Sequence, residues 1–182
     1  MNDLWYALHV RSRFEKFAQT QLNQKGYETF LPTSVSTRQW SDRVKSVSLP
    51  LFPSYLFCRF DLRSRLPILL TPGINAIVGI GKTPMAVDEM EISAIRRVMQ
   101  SGLTAAPWPY LKQGEMARVV EGSLQGLTGI VVRSKGCDRL VLSVNLLMRS
   151  LSVEIDRRCL QPLETFDTEA YREARSRHFA AS

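Results

Sequence analysis

The chain has 182 residues, 45% of them hydrophobic and 23% charged, with a formal net charge of +7. That leaves room for one ordinary globular domain or two small ones, and the longest apolar stretch, residues 66–80, is broken by Pro67, Pro72 and Gly73 before the ~18 residues a membrane span needs. Three cysteines at unrelated spacings, Cys58, Cys137 and Cys159, argue against a disulfide framework and fit a reducing cytoplasm. With no CxxC pair and only His9 and His178, neither a metal site nor a cofactor is expected, and no secretory signal opens the chain. The positive charge favours polyanionic partners and is uneven: residues 11–65 hold ten Lys or Arg against Glu15, Glu28, Asp42 and Asp61.

Residues 4–10, LWYALHV, read as a first strand. Ser12 and Glu15 then form the S-x-x-E pattern of a capping box, ahead of a helix with Phe14, Phe17, Ala18 and Leu22 on one face and Gly26 as its stop. Strand character resumes over 27–37 and gives way at 38–45, RQWSDRVK, to a basic hairpin tip with an exposed Trp40. It returns at 46–51 and continues into the most aromatic stretch of the chain, LPLFPSYLFCRFD at 49–61. An extended backbone there puts Tyr55, Phe57 and Arg59 on one face and Leu56, Cys58 and Phe60 on the other. One face suffices for a core, so the second needs a cover, either a helix of the same domain or a partner protein.

A short helix over 64–70 follows, with Pro67 in its first turn where a missing amide is tolerated. Thr71-Pro72-Gly73 is turn chemistry, 74–80 reads as a buried strand, and 81–84 turns the chain again. Asp88 and Glu91 cap a helix carrying Ile92, Ile95, Val98 and Met99, which Gly102 ends. The order β-α-β-β-α-β-α is that of a ferredoxin-like split βαβ with one extra helix, an α+β domain over 1–102. Residues 103–112, with two prolines and no periodicity, read as a linker. Short strands at 117–120, 129–133, 139–144, 151–155 and 159–163 suggest a small five-stranded, SH3-like β-barrel over 113–164. The tail, 165–182, is charged and weakly helical, and either caps the barrel or stays disordered.

Catalytic chemistry is missing from this pattern. His9 is the only histidine inside a predicted element, carboxylates are scattered, and residues 79–83, GIGKT, lack the spacing of a phosphate loop and lead into Pro84. No enzyme is expected. The barrel carries a stronger signal: residues 119–131, VVEGSLQGLTGIV, set Gly122, Gly126 and Gly129 between two β-runs. Gly122 and Gly126 permit positive φ, and Gly129 permits a close backbone approach where the next strand starts. This segment resembles the KOW motif of NusG-type transcription factors and several ribosomal proteins. Trp5-Tyr6, the F-P-S-Y-L-F segment, Thr71-Pro72-Gly73-Ile74 with its strand, and the closing capped helix resemble the NusG N-terminal domain over about residues 4–102. Ser54 stands where NusG itself usually carries Gly, and LFPSYLF with RQWSDR is closer to the specialised RfaH, LoaP and UpxY-type antiterminators.

The resemblance implies a transcription elongation or antitermination factor that binds RNA polymerase at the β′ clamp helices, holds the clamp closed and suppresses pausing. Matched residue by residue, Phe52, Pro53, Tyr55 and Phe57 take the docking role, with Tyr6 and His9 lining the same depression from the first strand. A histidine at position 9 departs from the aromatic residue frequent in RfaH-like proteins. By the same match Arg11, Arg13 and Lys16 face the non-template DNA strand, while Arg38, Arg43 and Lys45 reach upstream duplex, with Trp40 either stacking on a base or packing. The polymerase β-lobe contact is in doubt, because residues 66–70 do not match its motif. Leu146, Leu147, Met148 and Arg149 match the KOW loop that recruits Rho or a small-subunit ribosomal protein, Met148 replacing the usual Gly; the other reading is a self-packed loop. The chain is expected to act as a cytoplasmic monomer with no membrane partner. A general NusG supporting Rho-dependent termination and a ribosome-associated or RNA-binding KOW protein are the alternatives.

Overall fold

The computed structural model describes residues 3–40, 43–110, 115–134 and 136–163, and for 36–40 and 43–47 the backbone only. The tail expected over 165–182 lies outside the described residues. The chain divides into two units, Met1–Glu89 and Met90–Ser182.

In the first unit, β1 (Leu4–Val10) leads to α1 (Glu15–Gln24), then β2 (Glu28–Phe30), β3 (Thr33–Trp40), β4 (Arg43–Pro50) and β5 (Tyr55–Phe60). After them come α2 (Leu66–Leu69), β6 (Ile74–Ile77), β7 (Gly79–Ile80) and β8 (Thr83–Pro84). Four strands form an antiparallel sheet in the order β2-β5-β1-β6. Taken as first to fourth core strands, that is second-third-first-fourth, the split βαβ arrangement. The hairpin β3–β4 is a separate two-stranded ribbon whose ladder runs from Thr33↔Pro50 to Trp40↔Arg43. Its base is closed by the Leu51 amide donating to the Pro32 carbonyl at 2.9 Å.

Alternation along β1 and β5 decides which side chains are core. The register aligns Leu4, Tyr6 and Leu8 with Phe60, Cys58 and Leu56 on one face, and Trp5, Ala7 and His9 with Arg59, Phe57 and Tyr55 on the other. The first face builds the core with Ala18 and Leu22 of α1 and Ile68 of α2, each fully buried apolar side chain contributing about 1.5–3 kcal/mol. Burial, with the Glu28 carboxylate second, pushes the Cys58 thiol up to about 12. At neutral pH it stays a protonated, apolar-like core group.

Three local expectations for this unit change. Among the described residues no side chain caps α1: Phe14 is its N-cap residue, and Glu15, expected as the capping-box partner of Ser12, is buried and used elsewhere. Phe17, expected on the core face, is largely exposed and meets Phe14 edge-on at 5.9 Å. The expected buried strand over 74–80 is instead β6 on the sheet edge followed by the small β7–β8 hairpin, and Ile80 is exposed. Gly26 ends α1 at φ +85°, as a left-handed helix stop requires.

The second unit holds α3 (Glu89–Gln100) from Met90 onward, β9 (Ala105–Trp108), β10 (Glu115–Val119), β11 (Thr128–Ser134), β12 (Cys137–Val144), β13 (Arg149–Glu154) and β14 (Leu160–Pro162). These strands form one antiparallel sheet in the order β14-β10-β11-β12-β13-β9. Leu140, Val141 and Val144 of β12 and Leu151 and Val153 of β13 are buried. The expected linker is corrected here, because residues 105–108 are strand β9, paired with β13 through Leu151↔Pro107 and Ser152↔Ala106. An edge position accommodates Pro107, whose missing amide would interrupt an interior ladder. Gly129 sits where a Cβ would lie 2.7 Å from the Val141 carbonyl, so only glycine lets β11 and β12 approach there.

Candidate functional site

The aromatic segment is presented by a tight turn rather than by a continuous strand. β4 ends at Pro50, and the Tyr55 amide donates back to the Phe52 carbonyl at 3.1 Å. Pro53 takes the second position of this turn and Ser54, at φ +67°, the third, the pattern of a type II turn. Three bonds hold it in place. The Ser54 amide donates to Glu15 Oε1 at 2.9 Å, the Val10 amide donates to the Ser54 carbonyl at 2.8 Å, and the Phe52–Tyr55 bond closes the turn itself. Glu15 is only 5% exposed, so this carboxylate ties the start of α1 to the turn and satisfies a left-handed residue's amide.

The docking residues expected from sequence divide into two groups. Phe52 and Phe57 are 1% and 0% exposed, their rings meet edge-on at 5.9 Å, and Phe57 stacks on Phe30 at 6.2 Å. They support the turn from beneath. Pro53 and His9 are exposed and Tyr55 is half-buried. His9 lies opposite Tyr55 in the register, with ring centroids 5.8 Å apart. Tyr6 is a correction: it belongs to the opposite face, in the helix-covered core, with its ring 4.7 Å from Phe60. Burial, and then the Asp61 carboxylate, raises its hydroxyl above the ordinary tyrosine value.

Arg11, Arg13 and Lys16 are all exposed around the start of α1. The Arg11 guanidinium lies 4.8 Å over the Phe14 ring, Arg13 has φ +68°, and among the described residues none of the three has an ion-pair partner. The backbone ladder pairs Arg38 with Lys45 and Trp40 with Arg43 at the far end of the hairpin. Their side chains lie outside the described residues.

In the second unit, Gly122 and Gly126 take φ +87° and +85° in the loop between β10 and β11. Residues Asn145–Leu147 form one 3-10 turn, followed by Met148 in the left-handed region at φ 49°, ψ 45°. Leu147 is buried, which removes it from the expected contact set; Leu146 is half-buried, and Met148 and Arg149 are exposed. Sequence reasoning missed Asn145. Its side-chain amide donates to Glu91 Oε1 at 3.0 Å, and its Oδ1 accepts from the Tyr110 hydroxyl at 3.0 Å. The side chain thereby anchors the turn to α3 and to the segment after β9.

The NusG family, described as transcription termination factor nusG, matches residues 3–96. The chain belongs to the NusG family. The "Transcription termination/antitermination protein NusG" of Helicobacter pylori strain J99 is 27% identical over 164 residues, covering 83% of this chain and 93% of the relative. That of Pseudomonas aeruginosa is 24% identical over 166 residues, covering 84% and 94%. Among solved structures, "Domain interaction in Thermotoga maritima NusG" superposes with a TM-score of 0.51 at 17% identity, covering 90% of this chain and 99% of that one, and shows the shared fold. Membership makes this chain a non-enzymatic transcription factor of the termination/antitermination type. Among the described residues no helix is long and apolar enough to cross a membrane.

Proposed function

We propose that this NusG-family factor docks on the β′ clamp helices of RNA polymerase through the face formed by His9, Pro53 and Tyr55, holds the clamp closed and suppresses pausing. The observation that carries the reading is a pair of rings left accessible beside an exposed proline, on a turn cross-tied to both α1 and β1. Such a rigid, preorganised aromatic group loses little freedom on binding, which is what interface hot spots require. Phe52 and Phe57 act indirectly by holding the turn. Arg11, Arg13 and Lys16 contact the non-template strand, and the basic hairpin end contacts upstream duplex, both through phosphates. Met148 and Arg149 recruit the further partner, Rho or a small-subunit ribosomal protein. The protein works as a cytoplasmic monomer, with an N-terminal NusG domain and a KOW domain whose sheet takes in β9.

The test is binding of the full chain to isolated β′ clamp helices. Tyr55→Ala is expected to weaken it by ~2 kcal/mol, about thirtyfold, with the fold intact; unchanged affinity overturns the assignment.

Two versions of this function compete. A specialised antiterminator is supported by Ser54 and Met148, both non-glycine residues in left-handed backbone. A general factor supporting Rho-dependent termination is favoured by the names of the curated relatives, termination/antitermination proteins that align over most of their length. Rho-dependent release on a purified template, with and without this protein, separates them: enhanced release supports the general factor, and read-through supports the specialised one.

A further inference from the structure

His9 is not simply an aromatic replacement on the docking face. β6 pairs with β1 through Leu8↔Ile77 and His9↔Ala76, but then Val10 pairs with Ile74, so Asn75 is an extra residue in a β-bulge. In an unbroken ladder Asn75 would lie opposite Val10 and share its core face. The bulge releases Asn75 from that register, sends Ile74 to the core, and turns the amide toward His9. Asn75 Nδ2 stands 3.4 Å from His9 Nδ1. An amide NH2 can only donate, so with the amide in this orientation Nδ1 is the acceptor, a pairing that selects the ring tautomer protonated on Nε2. Both side chains are exposed, and the Tyr55 ring packs at 5.8 Å on the same face.

We propose that Asn75 is a positioning residue that fixes His9 as an outward Nε2–H donor, so that the docking face selects a partner presenting an oxygen acceptor opposite His9. Backbone carbonyls within a partner helix are already used by its own ladder, so the acceptor is a side-chain oxygen, and a carboxylate gives the strongest bond. The inference rests on the docking reading above and adds a polar specificity element to an otherwise aromatic contact.

The experiment uses the full chain and isolated β′ clamp helices. In the free protein near pH 8, where histidine is ordinarily neutral, 15N shifts of the His9 ring are expected to show the Nε2–H tautomer, and Asn75→Ala to give a mixture of tautomers. His9→Gln keeps a donor at the place of Nε2 and is expected to retain affinity within about threefold, whereas His9→Phe keeps the ring, loses the donor and weakens binding about tenfold. A dominant Nδ1–H tautomer, or His9→Phe binding as tightly as the wild-type chain, overturns the inference alone. Failure of the wild-type chain to bind clamp helices overturns the docking reading and the inference together.

Discussion

The two segments expected to face partners, the Phe52–Tyr55 turn of the first unit and the Asn145–Arg149 turn of the second, use the same backbone device under different restraint. Each places a non-glycine residue in the left-handed region, Ser54 at φ +67° and Met148 at φ +49°. Ser54 is held from both sides, its amide on the buried Glu15 carboxylate and its carbonyl on the Val10 amide. Met148 has its amide on the Asn145 carbonyl within the same turn, and its side chain is exposed. The first turn is held by other segments at its left-handed residue, whereas the second is anchored at its first residue, Asn145, and its left-handed Met148 amide is bonded only within the turn. In both, one part of the contact set expected from sequence lies beneath as support (Phe52 and Phe57, or Leu147), and another part faces outward.

Substitutions can break this comparison. Phe57→Ala removes a fully buried ring and should lower stability by about 3–5 kcal/mol, while Tyr55→Ala, half-buried beside it, should stay within about 1 kcal/mol. Urea unfolding of the two variants reads the difference, and equal losses would erase the division between support and contact. The restraint itself is tested next. Glu15→Ala leaves the Ser54 amide without its carboxylate and should cost about 1–3 kcal/mol, and Asn145→Ala, which takes a part-buried donor from the Glu91 carboxylate, should cost about 1–2 kcal/mol. The smallest effects concern the strain. Ser54→Gly and Met148→Gly should each stabilise by about 0.5–1 kcal/mol, since relief of left-handed strain outweighs glycine's greater unfolded-state freedom. A loss of stability at either position would show that its side chain contributes more than its backbone costs.

Much of this arrangement was legible in the residues. The aromatic and apolar run of residues 4–10 is enough to mark β1, and the five Gly-punctuated β-runs after 113 correspond to β10 through β14. Local chemistry misled where a longer-range partner outcompeted it. Glu15 sits at capping-box spacing from Ser12, yet a tertiary amide, that of Ser54, takes its carboxylate. Pro107 and Pro109 suggested a linker, and only the edge position of β9 makes Pro107 compatible with a sheet. The alternation in β5 separated its two faces correctly, but not which aromatic groups would be covered, because Phe30 and Phe52 reach Phe57 from other segments. Matching alone puts Tyr6 on the docking face; in the structure its two-residue spacing from Leu8 sets it on the core face. The bulge at Asn75 had no signature in the sequence, since one extra residue in a strand changes no composition or period.

The bond from the Leu51 amide to the Pro32 carbonyl carries a consequence for how several grips combine. It closes the stem of the β3–β4 hairpin immediately before the Phe52–Tyr55 turn, so the basic end of the hairpin and the aromatic turn are joined by a paired ribbon and not by a slack tether. On the proposed docking and DNA contacts, engagement of one end would deliver the other at high effective concentration within a narrow range of positions, so that two weak attachments would act as one strong one. Opening the stem would cost overall affinity while leaving every contacting side chain in place.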